Sequence, residues 1–208
     1  MDSATEGFPP LVGGLLCLDF VNTVDDRLDE RPVDWLSSYG ALLGWTRRSG
    51  ALGAEEEARL AQVAQSHGGA ALARAREVRE ALYGMLAALA VPKPVPPAAL
   101  ATIDGALADL MGAPVLRSEG SGLRVTTTGE ASLDANTPLR RALRSVLDLL
   151  ADTGAHPIRQ CAAPDCSFLF LDTTRSHNRL WCRSGGCGTR NRFRRYYARR
   201  RQRTELPP

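Results

Sequence analysis

The stretch of sequence that decides the fold of the C-terminal part is residues 161–190, CAAPDCSFLFLDTTRSHNRLWCRSGGCGTR. It holds four of the five cysteines of the 208-residue chain, spaced as C-x4-C, fifteen residues, and a second C-x4-C. Two close pairs at this separation are typical of a tetrahedral zinc site in which each pair comes from a tight turn. The predicted ligands of one structural Zn²⁺ are Cys161, Cys166, Cys182 and Cys187.

Two disulfides or four unlinked buried thiols are the alternatives to zinc. Disulfides are rare in a reducing cytosol, and the first six residues lack the basic segment of a secretory signal, so we expect a cytoplasmic protein. Sulfur in all four positions leaves zinc without an open position for a substrate or water. His177, between the two pairs, is expected to be a loop residue. The metal is therefore predicted to hold the fold and not to catalyse.

Charge is distributed unevenly along the chain. Residues 161–208 contain eleven arginines and three acidic residues, a net charge of +8, whereas the first 160 residues carry 15 basic and 20 acidic side chains, a net charge of −5. Such a division is typical of a basic module that binds a polyanion. The position of the charge indicates a second part of the chain with its own binding role.

The sequence predicts a treble-clef-like zinc finger over residues 156–208. Residues 167–171 are apolar enough for a strand after the first cysteine pair, and residues 180–182 bring the chain back to the metal. A helix is expected after Cys187, with Phe193, Tyr196 and Tyr197 on one side because they are spaced at i, i+3 and i+4. Zinc knuckle, hairpin and helix together make up the predicted finger.

The arginines of this last helix can neutralise phosphates, and arginine is also suited to bidentate contact with guanine. The candidate nucleic-acid contacts are Arg190, Arg192, Arg194, Arg195 and Arg199. An alternative role for some arginines is to balance the negative charge of four zinc-bound thiolates, for which Arg179, Arg183 and Arg190 are the candidates. The glycines at 185, 186 and 188 could admit a phosphate close to the backbone or simply permit the turn.

The first 155 residues are predicted to form a mainly helical domain with a small β element. Residues 11–24 suit a strand or a buried helix. Asp34 is expected to cap a helix, residues 55–66 and 70–90 to form two helices with His67 in the loop between them, and residues 98–111 a further helix. A hairpin is expected around residues 115–126, and a helix from Thr137 to residue 153. The whole chain is therefore predicted to be mainly α, with an α+β fold.

Two segments resemble known bacterial families. Residues 161–190 resemble the CGNR zinc finger in both cysteine pairs, in Phe170-Leu171-Asp172, in Arg179 and in Trp181-Cys182. Residues 16–23, LCLDFVNT, resemble the opening of the ABATE domain, which accompanies that finger in stress-induced transcription regulators. Thr189 stands where the CGNR name has asparagine, and Asn191 follows closely. The resemblance implies a DNA-binding transcription regulator.

The N-terminal domain is the place where a second binding role is expected. Asp19 and Asn22 are polar residues in an apolar stretch, and Arg79 in a predicted helix could partner them. They form a candidate effector pocket, with a satisfied polar network as the alternative. Cys17 is either a redox-sensing thiol or a small buried hydrophobe.

No signal of an enzyme or a membrane protein is present in the sequence. No apolar run reaches the roughly 18 residues that a bilayer requires, and a phosphate-binding glycine loop, HExxH and GxSxG are absent. We therefore predict a regulator that binds zinc and DNA, with a small-molecule effector and a homodimer as further expectations. The rival hypotheses are an RNA-binding module whose aromatics stack on bases and a protein-interaction adaptor.

Overall fold

The computed structural model of the chain describes residues 7–25, 27–152 and 156–204, and the side chains of residues 64, 65, 199 and 201–204 are outside that description. The first six residues, on which the prediction about a secretory signal rests, lie outside it. The predicted boundary between the two parts of the chain, at residues 155 and 156, falls at the edge of another gap. The division into two domains remains a prediction.

Helices dominate the described residues, and short antiparallel strand pairs accompany them. The helices are α1 (Leu16–Val21), α2 (Tyr39–Arg48), α3 (Ala54–Ala90), α4 (Pro97–Met111), α5 (Thr137–Ala151) and α6 (Thr189–Thr204). The strand pairs are β1 (Val24–Asp25) with β2 (Val33–Asp34), β3 (Pro114–Glu119) with β4 (Gly122–Thr127), and β5 (Ile158–Gln160) with β6 (Leu169–Leu171). A 3-10 turn (Thr128–Ala131) follows β4, and a π-helical turn (Ser184–Gly188) precedes α6. The predicted α+β class is confirmed.

Helix α1 lies at the centre of the N-terminal core. The apolar segment around it, which suited strand or helix equally, forms a helix whose buried residues are Cys17, Leu18, Phe20 and Val21. It packs against α3, α5 and strand β6. The ring of Phe20 lies 5.6 Å from that of buried Trp45 in α2. Burial of this apolar helix on several sides stabilises the N-terminal domain.

Helix α3 runs for 37 residues without a break. The prediction of two helices separated by a loop at His67 is therefore wrong. Gly68, next to His67, is buried against α2, and a Cβ placed on it would lie 3.0 Å from Cγ of Tyr39. The close approach of the two helices offsets the cost of about 1 kcal/mol that glycine carries in a helix.

The predicted capping role of Asp34 is also wrong. Helix α2 begins at Tyr39, and the Ser38 hydroxyl caps it by accepting a hydrogen bond from the Ala41 N–H at 3.1 Å. Asp34 lies in β2 and accepts two hydrogen bonds from buried Arg79, at 2.7 and 2.8 Å. A buried guanidinium needs a carboxylate partner, and this requirement takes precedence over local helix capping.

The later predicted elements of the N-terminal domain are confirmed in type and position. Helix α4 and the β3–β4 hairpin occupy the expected segments. Helix α5 begins at Thr137, with Pro138 in its first turn, and ends at Ala151. The helix therefore ends two residues before the predicted end at residue 153, which itself lies outside the described residues.

The zinc finger contains a strand pair that the sequence pattern did not predict. Strand β6 forms as expected, but its partner is β5, so the first cysteine pair lies in the connection between the two strands. Residues 180–182 return to this pair through a hydrogen bond from the Ala162 N–H to the Leu180 carbonyl at 2.9 Å. The segment before Cys161 therefore belongs to the finger as a strand.

Strand β6 connects the finger to the N-terminal core. Leu169 is fully buried among the core residues of the N-terminal domain, whereas its neighbours Phe168 and Phe170 are buried with the four cysteines. The Asn22 amide makes hydrogen bonds to both backbone groups of Leu169, at 2.8 and 2.9 Å. A further hydrogen bond joins the Leu171 N–H to the Gly13 carbonyl at 2.8 Å. The finger therefore packs directly on the helical domain.

Candidate metal centre and nucleic-acid interface

The four predicted zinc ligands converge on one point. Their sulfur atoms lie within 4.8 Å of one another, all four residues are buried, and none forms a disulfide. The Sγ of Cys182 lies 3.8 Å from that of Cys166 and 3.6 Å from that of Cys187. A tetrahedral zinc with Zn–S bonds of about 2.3 Å separates its sulfur atoms by roughly 3.8 Å. The cluster therefore fits one structural zinc ion, as predicted.

The cysteine cluster can hold four thiolates only together with a cation. Hydrogen bonds from the thiols of Cys166 and Cys182 lower the pKa of Cys161. The pKa values of Cys166 and Cys182 are raised, in each case chiefly because the thiol donates its hydrogen bond to the Cys161 sulfur, and burial raises the pKa of Cys187. Four thiolates at this separation repel one another, so a divalent ion must compensate them. The Cys182 N–H stabilises the cluster further by pointing at the Cys161 sulfur, at 3.4 Å.

Arg190 lies beside the metal site. Its Nη2 is 3.2 Å from the Cys187 sulfur, where it can balance part of the negative charge of the thiolates. Arg179 is held instead by backbone carbonyls, among them those of Trp181 and Cys182, and its guanidinium lies 4.1 Å above the Phe170 ring. Of the arginines considered for charge balance, these two therefore have different roles, one electrostatic and one structural.

The loop between the cysteine pairs is organised by Asp172, a residue whose role was not predicted. The fully buried carboxylate accepts hydrogen bonds from the N–H and hydroxyl of Thr174, at 3.1 and 2.6 Å, and from the Arg179 N–H at 2.9 Å. His177 lies in this loop, with its Nδ1 3.0 Å from the Asp172 carbonyl. The histidine is a loop residue and not a member of the cysteine cluster.

Gly188 is required by packing at the end of the π-helical turn. A Cβ on this residue would lie 3.1 Å from Cδ1 of Trp181. Thr189, at the position where the CGNR name has asparagine, then begins α6 and donates its hydroxyl to the Ser184 carbonyl at 3.1 Å. The glycine therefore serves the turn that brings the last ligand to the start of the helix.

Asp165 fixes helix α6 on the finger. Its carboxylate accepts two hydrogen bonds from Arg194, at 3.1 and 2.8 Å, and lies 3.6 Å from Arg190. The hydrogen bonds from Arg194 lower the pKa of Asp165. Two of the predicted nucleic-acid contacts therefore face the finger. The sequence shows an acidic residue between the first two zinc ligands, but nothing local to it names Arg190 and Arg194 as its partners.

The other predicted contacts lie elsewhere on α6. Arg192 and Arg195 are exposed and three residues apart, and we call the surface they share the outer face of α6. Arg192 donates a hydrogen bond to the Thr189 hydroxyl at 3.2 Å. Arg199 belongs to the same helix, but its side chain lies outside the described residues. The whole helix contains eight arginines and no acidic residue.

The three aromatic residues of α6 are in contact with solvent. Phe193, Tyr196 and Tyr197 are 58, 59 and 58% exposed. The rings of the two tyrosines lie 5.4 Å apart in an edge-on arrangement. A groove of about 440 Å³ is lined by Thr189, Arg192, Phe193 and Tyr196. These aromatics therefore contribute surface and not core to the finger.

The three residues of the candidate effector pocket have separate partners. The Asp19 carboxylate accepts a hydrogen bond from the Gly13 N–H at 2.7 Å, while Asn22 and Arg79 make the contacts with Leu169 and Asp34 described above. These are the contacts of a satisfied polar network, the alternative considered with the pocket. An effector role for the three residues remains a prediction.

Two family models match the chain. Residues 14–156 match ABATE, described as "Putative stress-induced transcription regulator". The chain belongs to the ABATE family. In this ABATE protein, residues 158–200 match the CGNR zinc finger, so both resemblances seen in the sequence are confirmed in the expected order. A search of the curated proteins found no match.

The two families make the chain a zinc-binding regulatory protein. Both are regulator and zinc-finger types and neither is an enzyme family. Four sulfur ligands also leave the zinc closed to substrates. Across the ranges that the structure describes, no helix is long and apolar enough to cross a membrane.

Proposed function

We propose that this ABATE protein is a transcription regulator that binds duplex DNA through helix α6, with zinc holding the finger in shape and the N-terminal domain sensing an effector or forming a dimer. The proposal rests on the different contacts that the arginines of α6 make. Arg190 and Arg194 bind the finger, through the zinc thiolates and Asp165, whereas exposed Arg192 and Arg195 lie on the outer face, with Arg192 bonded to Thr189 of the same helix. An anchored helix with a basic outer face suits a DNA groove.

Counterion release provides the test of phosphate contact. Each neutralised phosphate contributes about −0.9 to the slope of log affinity against log salt concentration. We expect the double variant Arg192→Ala/Arg195→Ala to weaken duplex binding, measured by fluorescence anisotropy, and to reduce the slope by about 2. The matched control Arg31→Ala/Arg59→Ala removes the same charge from exposed positions of the N-terminal domain and should leave the slope unchanged. Equal slopes in all three proteins would contradict the proposal.

Sequence-specific binding requires a second measurement. The zinc-loaded protein would select genomic fragments at two salt concentrations. Enrichment of one motif that survives the higher salt supports a regulator that reads bases, since phosphate contacts carry no sequence information. Equal binding of all fragments that is lost at the higher salt concentration would show that α6 binds polyanions without reading sequence. This result would overturn the regulator proposal.

Dimerisation is part of the proposal because one small finger gives few contacts with DNA. Two copies on adjacent half-sites would raise the affinity through effective concentration. Light scattering on the purified protein with and without a DNA duplex tests this. We expect a dimer on DNA, and a monomer in both samples would rule out the dimer model.

Binding of single-stranded nucleic acid is a second candidate, favoured by the exposed aromatics. Phe193 and Tyr196 line a groove beside Arg192, and stacking of one base on an aromatic ring is worth about 1–3 kcal/mol. If this candidate holds, Phe193→Ala and Tyr196→Ala weaken binding of single-stranded RNA far more than binding of a duplex. An equal loss for both would favour a packing role for these side chains.

A further inference from the structure

A cavity of about 600 Å³ lies in the N-terminal domain, away from the zinc finger, between the β3–β4 hairpin, the 3-10 turn and the start of α5. Its wall has an unusual concentration of positive charge. The arginines that line it are Arg117, Arg124, Arg140, Arg141 and Arg144. Glu119 and Glu130 are the acidic residues of the same wall. We call this space the arginine cavity.

The hairpin turns its charged face, which Val115 shares, towards this cavity, and Ser118 and Thr127 of the opposite face also line the cavity. The strand register places Arg117, Glu119, Arg124 and Thr126 on one face, and all four line the cavity. On the opposite face, the exposed fractions of three apolar side chains are high: Leu116 66%, Leu123 75% and Val125 53%. Antiparallel sheets normally bury the apolar face. Arg117, Glu119 and Arg124 on the cavity face are exposed too, so the hairpin buries neither face fully and leaves its arginines open to a ligand.

Two of these arginines lie directly opposite each other on neighbouring strands. Arg117 pairs with Arg124 in the register, and like charges in this position destabilise a hairpin. The Glu119 carboxylate lies 3.8 Å from Arg124, and both side chains are more than half exposed. Among the residues that the structure describes, the side chain of Arg117 has no hydrogen-bonded or ionic partner. The pair therefore has free N–H donors and an unbalanced charge.

The three arginines of α5 are already held in place. Arg140 pairs with Asp134 at 2.9 Å, Arg141 with Glu56 at 2.5 Å, and Arg144 with Asp148 at 2.9 Å and with Glu130 at 3.4 Å. Asp134, Glu56 and Asp148 lie outside the wall of the cavity. Glu130 is occupied by these contacts and by the Thr126 hydroxyl at 2.6 Å. The first turns of α5 add the positive end of the helix dipole.

We propose that the arginine cavity binds a small organic anion whose carboxylate or phosphate group is held by Arg117 and Arg124. Arginine presents paired N–H donors that match such an oxyanion geometrically. The volume is in the range of pockets that enclose a whole small molecule and exceeds the need of a bare ion. Leu16, Ala51 and Ala131 supply an apolar wall for the organic part of the ligand. The anion relieves the repulsion between the two opposed arginines.

This site deepens the proposed sensing role of the N-terminal domain and rests on it for its regulatory meaning. Its ligand differs from nucleic acid in size and in the residues that it contacts. Binding is therefore measured without DNA, so that failure here and failure of DNA binding by α6 are distinguishable results.

Calorimetric titration of the zinc-loaded full chain at constant ionic strength tests the site, with pyrophosphate and citrate as the probes. We expect saturable one-to-one binding of at least one probe by the wild type. Arg117→Ala/Arg124→Ala should weaken it at least tenfold. The matched control Arg31→Ala/Arg175→Ala removes the same charge from exposed positions outside the cavity and should bind as the wild type does.

Two further variants keep the result decisive. Arg117→Lys/Arg124→Lys retains the charge without the paired donors, and we expect intermediate affinity. Arg192→Ala/Arg195→Ala should bind the probes normally, because α6 is not part of the cavity. No saturable heat from the wild type with either probe, or an equal loss in the control pair or the α6 variant, would overturn the proposal. Thermal unfolding of each variant verifies that the hairpin changes leave the fold intact.

Discussion

Asn22 provides two hydrogen bonds that hold strand β6 of the finger against α1. Its side chain is buried and bonds both the N–H and the carbonyl of Leu169. Asn22→Ala leaves both backbone groups buried without partners, and such groups cost about 1–3 kcal/mol each. We expect the free energy of unfolding to fall by roughly 2–4 kcal/mol in a urea titration, while exposed Asn178→Ala has little effect. A loss below about 1 kcal/mol would show that water replaces these bonds.

Asp19 gives the stability of the protein a dependence on pH. Burial raises the pKa of its carboxyl group to about 6, although hydrogen bonds from the Gly13 and Val12 N–H groups and the charge of Arg48 act in the opposite direction. Because this pKa exceeds the ordinary 3.8, the folded state binds the proton more tightly than the unfolded state does. The stabilising contribution is therefore complete below about pH 4 and is lost as the pH rises through about 6.

The isosteric variant Asp19→Asn should remove this dependence. Urea titrations from pH 5 to 7 are expected to show that wild-type stability decreases with pH more steeply than that of the variant. Exposed Asp29→Asn serves as the control and should follow the wild type. Parallel curves for wild type and Asp19→Asn would mean that the carboxylate is ionised in the folded protein throughout this range.

At the residue scale, the zinc ligands could be predicted because thiolate chemistry and spacing are local properties of the sequence. The role of Asp165 could not be derived in the same way, since its partners Arg190 and Arg194 are 25 or more residues away along the chain. For the same reason the partners of Asn22 and Arg79 required the fold. The spacing of cysteines along the chain predicts metal ligands, whereas contacts between residues distant in sequence decide which charged side chains remain free to bind a partner.

At the scale of elements, two adjacent glycines of α3 have opposite expected effects on stability. A Cβ on Gly68 would meet the Tyr39 ring at 3.0 Å, whereas Gly69 has open space around it. Tyr39 cannot easily move, because it is buried and its hydroxyl bonds the Ala135 carbonyl at 3.0 Å. Gly69→Ala should therefore raise the free energy of unfolding by up to about 1 kcal/mol, because alanine has the higher helix propensity, and the melting temperature should rise with it. Gly68→Ala should lower the free energy of unfolding by about 1–3 kcal/mol through overpacking, and the melting temperature should fall.

Thermal unfolding of the two variants side by side measures this difference. A rise in both melting temperatures would mean that α2 yields to the added methyl group.

The same two glycines explain why the sequence indicated a break in α3. Local propensity disfavours Gly-Gly in a helix, and only the contact with α2 shows why glycine is needed there. Helices α4 and α5 could be predicted because proline and apolar spacing act within one element. The pairing of β5 with β6 joins segments on either side of the first cysteine pair, where local patterns carry little information.

At the scale of the whole molecule, zinc should stabilise both parts of the chain. Structural zinc contributes on the order of 10 kcal/mol in apparent terms to small metal-bound folds. Since β6 packs on α1, removal of zinc with a strong chelator should speed amide hydrogen exchange in α1 as well as in the finger. The Cys182→Ser variant should behave like the chelated protein. In the control variant Cys17→Ala, one zinc per chain should be retained, as metal analysis can verify.

Exchange that accelerates in β5, β6 and the cysteine turns but not in α1 would contradict this coupling. It would mean that the finger opens as a separate unit while the helical core stays closed. Helix α4 packs chiefly on α3 and provides an internal reference for the measurement.

Strand β6 contributes alternate residues to two buried clusters, and this limits the sequence changes that the strand tolerates. Leu169 faces the helical core, while Phe168 and Phe170 face the cysteines. Insertion or deletion of one residue here would exchange the two faces, placing phenylalanine in a space shaped for leucine and the reverse. A fusion of this finger to another helical domain would therefore have to preserve the strand register of these three residues and the contact with Asn22.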